Sequence, residues 1–111
     1  MSIKVLSPPQ VEKAVSGVAV GDAYASAVGG AVQISLAGNL IKVEIKETGG
    51  KAIYYRILAG QSSEVLCSDM PIAANGSDYQ VLQGPWEYVD VQLKNQVAGQ
   101  AGTASVWITR G

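Results

Sequence analysis

The chain carries nine carboxylates, one thiol and no imidazole. The acids are Glu12, Asp22, Glu44, Glu47, Glu64, Asp69, Asp78, Glu87 and Asp90. A glycosidase needs two of them held at a fixed separation across a cleft, and no spacing here marks such a pair. Without histidine, the commonest general base and the commonest transition-metal ligand are missing, and Ser-His-Asp and Cys-His devices are excluded within one chain. Cys67 stands alone, so no intramolecular disulfide and no zinc cluster can form. Its neighbours Val65, Leu66, Ser68 and Asp69 are apolar or acidic. A reactive thiol needs an electropositive setting, so Cys67 reads as a core filler. Asn75-Gly76-Ser77-Asp78 groups several oxygens in a turn but lacks the alternating acids and closing glutamate of an EF-hand loop. It reads as a β-turn. The expected chemistry is therefore no catalysis, no cofactor and no metal.

Side chains suited to contact are better represented. The aromatics are five tyrosines and two tryptophans, with no phenylalanine. Each pairs an apolar body with a polar tip, which suits interfaces and sugar stacking. Trp86 and Tyr88 lie in the segment Gly84-Pro85-Trp86-Glu87-Tyr88. Trp86 is either a contact residue or a plug for one end of the fold. Trp107, between Val106 and Ile108, is expected to pack against a sheet or a neighbouring subunit. Tyr54 and Arg56 stand in one apolar run, Tyr54-Tyr55-Arg56-Ile57. Arg56 would grip a carboxylate or phosphate in bidentate fashion, or lie on the exposed side of an edge strand, or pair with a nearby acid. Trp86, Tyr88, Tyr54, Trp107 and Arg56 are the candidate interaction residues.

These residues need elements to position them. Ile41, Val43 and Ile45 alternate with Lys42, Glu44 and Lys46, the period of a half-buried strand. Thr48-Gly49-Gly50 supplies a turn, and Ala52–Leu58 is a second β-forming run. The pair predicts an antiparallel hairpin. Val32, Ile34 and Leu36, then Val89, Val91 and Leu93, repeat the alternation. Further strands are expected at Ile3–Leu6, Glu64–Cys67, Tyr79–Gln83 and Thr103–Thr109. Turns are expected at Ser7-Pro8-Pro9, Ala37-Gly38-Asn39, Ser68-Asp69-Met70-Pro71 and Asn75–Asp78, and loops at Gly60–Ser63 and Asn95–Gly102. Residues 11–15 fit a helical turn or an extended segment, with Gly17, Val18 and Val20 favouring extension. No window sustains a helical period. The expectation is an all-β chain: one antiparallel β-sandwich or small barrel of about eight short strands, spanning residues 1–111 as a single domain.

Composition bounds the partners. Apolar residues make up 48% and charged residues only 15%, with a net charge of −1. A surface so poor in charge is weakly defended against association and points to a partner or a homo-oligomer. The eight lysines and arginines are scattered, which argues against nucleic acid. The stretch Ala14–Leu36 is built on small residues and carries Asp22, so no membrane span is expected. No signal-peptide pattern opens the chain, and synthesis in a reducing cytoplasm is expected.

The succession TGGKAIYYRILAG, SDMPIAANGSDYQVL and the closing TASVWITRG resembles small virion proteins of tailed bacteriophages, over roughly residues 40–111. That resemblance implies a β-sandwich that coats the particle without catalysis. The role would be capsid decoration, or alternatively a tail or receptor- and carbohydrate-binding module stacking sugars on Trp86, Tyr88 and Tyr54. Its partner would be the major capsid protein or other virion proteins, and its location the virion.

Overall fold

The computed structural model describes residues 10–34, 40–59, 64–83 and 88–110. The expected strand at Ile3–Leu6, the turns at Ser7-Pro8-Pro9 and Ala37-Gly38-Asn39, the loop at Gly60–Ser63, Leu36 and Trp86 lie outside the described residues.

The period-two runs become strands whose apolar faces meet in one core. The strands are β1 (Gln10–Ala19), β2 (Ala25–Ser26), β3 (Val32–Gln33), β4 (Leu40–Glu47), β5 (Ile53–Ala59), β6 (Glu64–Ile72), β7 (Ser77–Gln83), β8 (Tyr88–Asn95) and β9 (Thr103–Arg110). They form two antiparallel sheets, one in the order β1-β9-β4-β7 and the other β2-β8-β5-β6, with β3 also on β8. This wrapping is a jelly roll, a double-sheet arrangement in which the chain passes repeatedly from one sheet to the other. The central strands supply the core: Ile41, Val43 and Ile45 from β4, Ile53, Tyr55 and Ile57 from β5, Val89, Val91 and Leu93 from β8, and Ala104, Val106 and Ile108 from β9. Each fully buried Val or Ile contributes about 1.5–3 kcal/mol, so these four strands carry the stability.

The all-β, antiparallel expectation holds, but the central hairpin does not. β4 pairs with β7 and β9, while β5 pairs with β6 and β8. The Thr48–Ala52 turn therefore carries the chain across the sandwich, from one sheet to the other. A Gly-Gly turn between two β-forming runs fits either connection, because only tertiary packing tells them apart. Residues 11–15 are extended, within β1. The turn expected at Ser68–Pro71 is also absent: β6 runs through it, and Asp69 takes φ +54 within the strand. Register shifts lie nearby, between Tyr55 and Ile57 and between Ile57 and Leu58 on β5. An irregularity of this kind absorbs the local kink that Asp and Pro signal, without ending the pairing.

One carboxylate gathers three of the connections that cross between the sheets. Glu47 continues the inward parity of Ile41, Val43 and Ile45 and is fully covered. Its Oε1 accepts the N–H groups of Gly50 (2.7 Å), Lys51 (3.1 Å) and Asn75 (2.9 Å). Its Oε2 accepts those of Gly49 (2.6 Å) and Thr103 (3.2 Å). The β4–β5, β6–β7 and β8–β9 connections thus share one anchor.

Candidate functional site

The outer face of the β2-β8-β5-β6 sheet assembles the polar candidates. Tyr54 and Arg56 project outward because Ile53, Tyr55 and Ile57 project inward, and Lys94 stands opposite Tyr54 in register, Gln92 opposite Arg56. The Arg56 guanidinium lies 4.4 Å from the Tyr24 ring centre, and Lys94 Nζ lies 4.7 Å from the same ring and 5.6 Å from that of Tyr54. Stacked cations gain from the ring quadrupole. Arg56 Nε also donates to Gln92 Oε1 at 2.6 Å. Arg56 therefore sits on an interior strand, not an edge, and its partners are a ring and an amide rather than an acid. The Tyr24 hydroxyl donates to Asp69 Oδ1 (2.7 Å) and accepts the Asp69 N–H (3.0 Å), fastening the irregular part of β6. Burial and the Asp69 carboxylate push the Tyr24 phenol up from its ordinary value. Lys94 Nζ closes the group at 3.7 Å from Asp69 Oδ1.

This arrangement separates residues that the sequence groups. Tyr88 is on β8 opposite Gln33, and Tyr54 is opposite Lys94 at the other end of the strand. Six residues of extended chain place them about 20 Å apart. Tyr54 and Tyr88 therefore do not converge on one stacking platform. Trp107 lies on the opposite sheet, in β9. Tyr24, Lys94 and Asp69 are not among the residues that the sequence marks for contact. Ala23–Val28 carries no periodic signal, and Asp69 reads as a turn residue.

The acids have structural partners. Besides Glu47, Asp22 Oδ1 accepts from Asn95 Nδ2 (2.9 Å) and the Gly99 N–H (3.0 Å), bonds that hold its carboxyl below the ordinary value. Asp90 accepts from Ser26 Oγ (2.6 Å) and Gln92 Nε2 (3.1 Å). Glu12 pairs with Arg110 across β1 and β9 at 2.5 Å, both side chains nearly covered. Among the described residues, no group of three or more His, Cys, Asp or Glu side chains is placed to hold a metal ion. Among the same residues, no helix is long and apolar enough to cross a membrane. Cys67 packs against the core, and burial pushes its thiol up.

Asp78 joins the two sheets at the β6–β7 side. The buried Tyr55 hydroxyl donates to Asp78 Oδ2 at 2.6 Å and accepts from Gln80 Nε2 at 3.0 Å. Burial, then the carboxylate, push the Tyr55 phenol far above its ordinary value. Tyr55→Phe keeps the ring packing and removes these bonds, so it is expected to cost about 1–2 kcal/mol. Chemical denaturation checks this, and an unchanged midpoint would deny the hydroxyl any part in joining the sheets.

The outer face of the β1-β9-β4-β7 sheet carries exposed apolar side chains on both sides of the charged Lys42 and Glu44 of β4. Register aligns Ala14, Trp107, Glu44 and Tyr79 in one row across all four strands, and Val11, Thr109, Lys42 and Val81 in the next. Tyr79 is 58% exposed, Val81 54% and Val11 60%, and Leu40 continues the exposed surface along β4. Lys42 Nζ lies 5.1 Å from the Tyr79 ring centre. Trp107 stands half-buried in the first row, on the face that inward-pointing Val106 and Ile108 leave to it.

No family model matches the chain, and no curated protein matches it. Solved structures that match include "Bacillus endospore appendages form a novel family of disulfide-linked pili", 12% identical, TM-score 0.46, covering 99% of this chain and 96% of that one. Another is "Crystal structure of PirA", 13% identical, TM-score 0.45, covering 96% of this chain and 99% of that one. Neither likeness is close enough to transfer an assembly, a linkage or a partner. Neither is a phage virion protein, and nothing in the family or curated comparisons supports one. The resemblance to tailed-phage virion proteins is therefore corrected. With it go the capsid-decoration role, the tail or carbohydrate-binding module, the major capsid protein as partner and the virion as location. The shared motif consists of turn residues and β-formers, which any antiparallel sandwich repeats at similar spacing.

Proposed function

We propose that this chain, residues 1–111 as one domain, is a non-enzymatic building block that associates with further copies of itself. The observation that carries this reading is the outer face of the β1-β9-β4-β7 sheet, where Val11, Leu40, Tyr79 and Val81 are exposed and Trp107 is half-buried, with Lys42 and Glu44 of β4 between Trp107 and β7. Large apolar side chains exposed on one face of a sheet, interleaved with polar ones, mark a contact surface. Trp107 is its anchor. Tyr54, Arg56 and Tyr88 on the opposite sheet form a second set of contact residues, and Trp86 is a further candidate from the sequence alone. The acids support a structural rather than catalytic role, because Glu47, Asp22, Asp78, Asp90, Asp69 and Glu12 each hold hydrogen bonds or ion pairs that tie strands or loops together.

Native mass spectrometry across a dilution series tests the reading. Dimers or larger assemblies are expected at high concentration, and a monomer throughout would contradict it. Trp107→Ala is expected to weaken association by roughly tenfold or more, because a large anchor aromatic is lost. Because Trp107 is only half-buried, the accompanying stability loss is expected to be about 1–2 kcal/mol.

A further inference from the structure

Of the sheet edges, one is built to accept another strand. β1 carries register shifts between Val11 and Lys13 and between Val15 and Val18, and Gly17 takes φ +64. β6 has irregular pairing with β5, Asp69 at φ +54, and Pro71. β2 and β3 are two residues each. Bulges, proline and shortness are the usual defences of an edge. β7 has none of them: seven consecutive residues, Ser77–Gln83, pair with β4 without a shift. Its sequence, SDYQVLQ, holds no Pro, Gly or Lys. Its one charge, Asp78, is engaged by Tyr55.

Among the described residues, the hydrogen-bonding groups that this edge leaves without a strand partner can be assigned. The Glu47 N–H donates to Gly76 O at 2.9 Å, which makes 47–76 a pair of the hydrogen-bonded kind. Alternation along an antiparallel ladder then turns the backbone of Asp78, Gln80 and Leu82 toward β4, and that of Ser77, Tyr79, Val81 and Gln83 away from it. The Tyr79 N–H agrees: it reaches Asp78 Oδ1 at 2.9 Å, on the outer side.

We propose that β7 pairs antiparallel with β7 of a second copy about a two-fold axis at Gln80, joining two four-stranded sheets into one of eight. The inference rests on the reading that the chain associates with its own copies; it places a contact at the β7 edge, two strands away from Trp107, and gives its symmetry. In this register Tyr79 faces Val81 of the second copy, and Val81 faces its Tyr79. Aromatic and β-branched residues opposite each other are a favourable cross-strand pair. Asp78 falls opposite Leu82, so no like charges are opposed. The flanks are complementary as well. Glu44 stands beside Tyr79 and Lys42 beside Val81, so each row across the junction reads acid, Tyr, Val, base. The Tyr79 N–H exchanges its local bond to Asp78 for the C=O of Val81 in the second copy. A blocked edge at β1 ends the extended sheet on both sides, which favours a closed dimer over a fibre.

Sedimentation velocity of four proteins tests this: wild type, Tyr79→Lys, Val81→Glu and the double variant. Both positions are exposed. Within one copy the introduced lysine would stand beside Glu44 and the introduced glutamate beside Lys42, so the fold is kept; a thermal melt verifies it. Each single variant is expected to weaken the dimer about tenfold or more, since each removes two cross-strand apolar pairs. The double variant is expected to recover association in a salt-sensitive way, because each introduced charge then meets its opposite on the other copy. A wild-type dimer indifferent to either single change overturns the β7 pairing but leaves association through another face standing. Weakening without recovery in the double variant overturns the two-fold register at Gln80. A wild-type monomer at every concentration overturns both this inference and the association reading.

Discussion

Glu47→Gln is expected to lower stability by about 3 kcal/mol, a fall in melting temperature of about 10–15 °C for a domain of this size. The substitution conserves volume, yet glutamine has one acceptor oxygen where glutamate has two. Oε1 serves Gly50, Lys51 and Asn75, and Oε2 serves Gly49 and Thr103. In either orientation the new amide group turns its own donors on two or three N–H groups. Charge-assisted bonds of this kind contribute about 1.5–3 kcal/mol each, and water reaching the exposed turn at Gly49–Lys51 offsets part of the loss. The loosened segments are three crossings between the sheets, so the cost falls on the whole sandwich rather than on one turn.

The same carboxylate gives the fold a defined acid response. Burial pushes Glu47 up, but the N–H groups of Asn75, Gly49, Thr103 and Lys51 outweigh it and hold the carboxyl below its ordinary value of 4.5. A group whose pKa is lowered on folding stabilises the fold above the unfolded value and loses that contribution as pH falls through the folded one. The wild type should therefore lose stability below about pH 4.5 more steeply than Glu47→Gln, which has no such proton to take up. Melting temperatures across that range check the claim. Parallel curves for the two proteins would refute it.

The second large effect concerns Gly102, which is buried beside the same anchor. A Cβ there would lie 2.8 Å from Ile53 Cγ2, 3.1 Å from Glu47 Oε2 and 3.3 Å from Lys51 O. Ile53 is itself fully buried and cannot swing aside without disturbing the core. Gly102→Ala is expected to cost about 2–3 kcal/mol by overpacking. Gly99→Ala is the control. Gly99 has open space around it and only its φ of +81 to object, so about 1–2 kcal/mol is expected. Equal losses in denaturant titration would show that backbone freedom, not the crowding around Glu47, decides both positions.

Period two brings much of the fold into view. Ile41-Val43-Ile45 and Val89-Val91-Leu93 form β4 and β8 with the expected faces inward, and Thr103–Thr109 forms the expected last strand, β9. The same parity holds the clue to Glu47, which continues the inward face of β4. A charge at the end of an alternating run ordinarily marks solvent, so Glu47 reads locally as a turn-side acid. Strand partners are less legible. The Thr48–Ala52 turn looks the same whether the chain doubles back within a sheet or crosses to the other one. An edge strand is one of the places the sequence leaves open to Arg56, but pairing on both sides of β5 puts it inside the sheet. The cation–ring cluster of Tyr24, Arg56 and Lys94 joins β5 and β8 to a segment near β2 that has no pattern of its own, so only the sheet order brings it together.

Amide hydrogen exchange, compared at high and low protein concentration, tests most directly whether the chain works by meeting its own copies. The outward amides of Tyr79 and Val81 should exchange slowly when concentrated and quickly when dilute, while Gln80 and Leu82, bonded to β4, should change little. Identical exchange at every residue across the dilution would contradict the account.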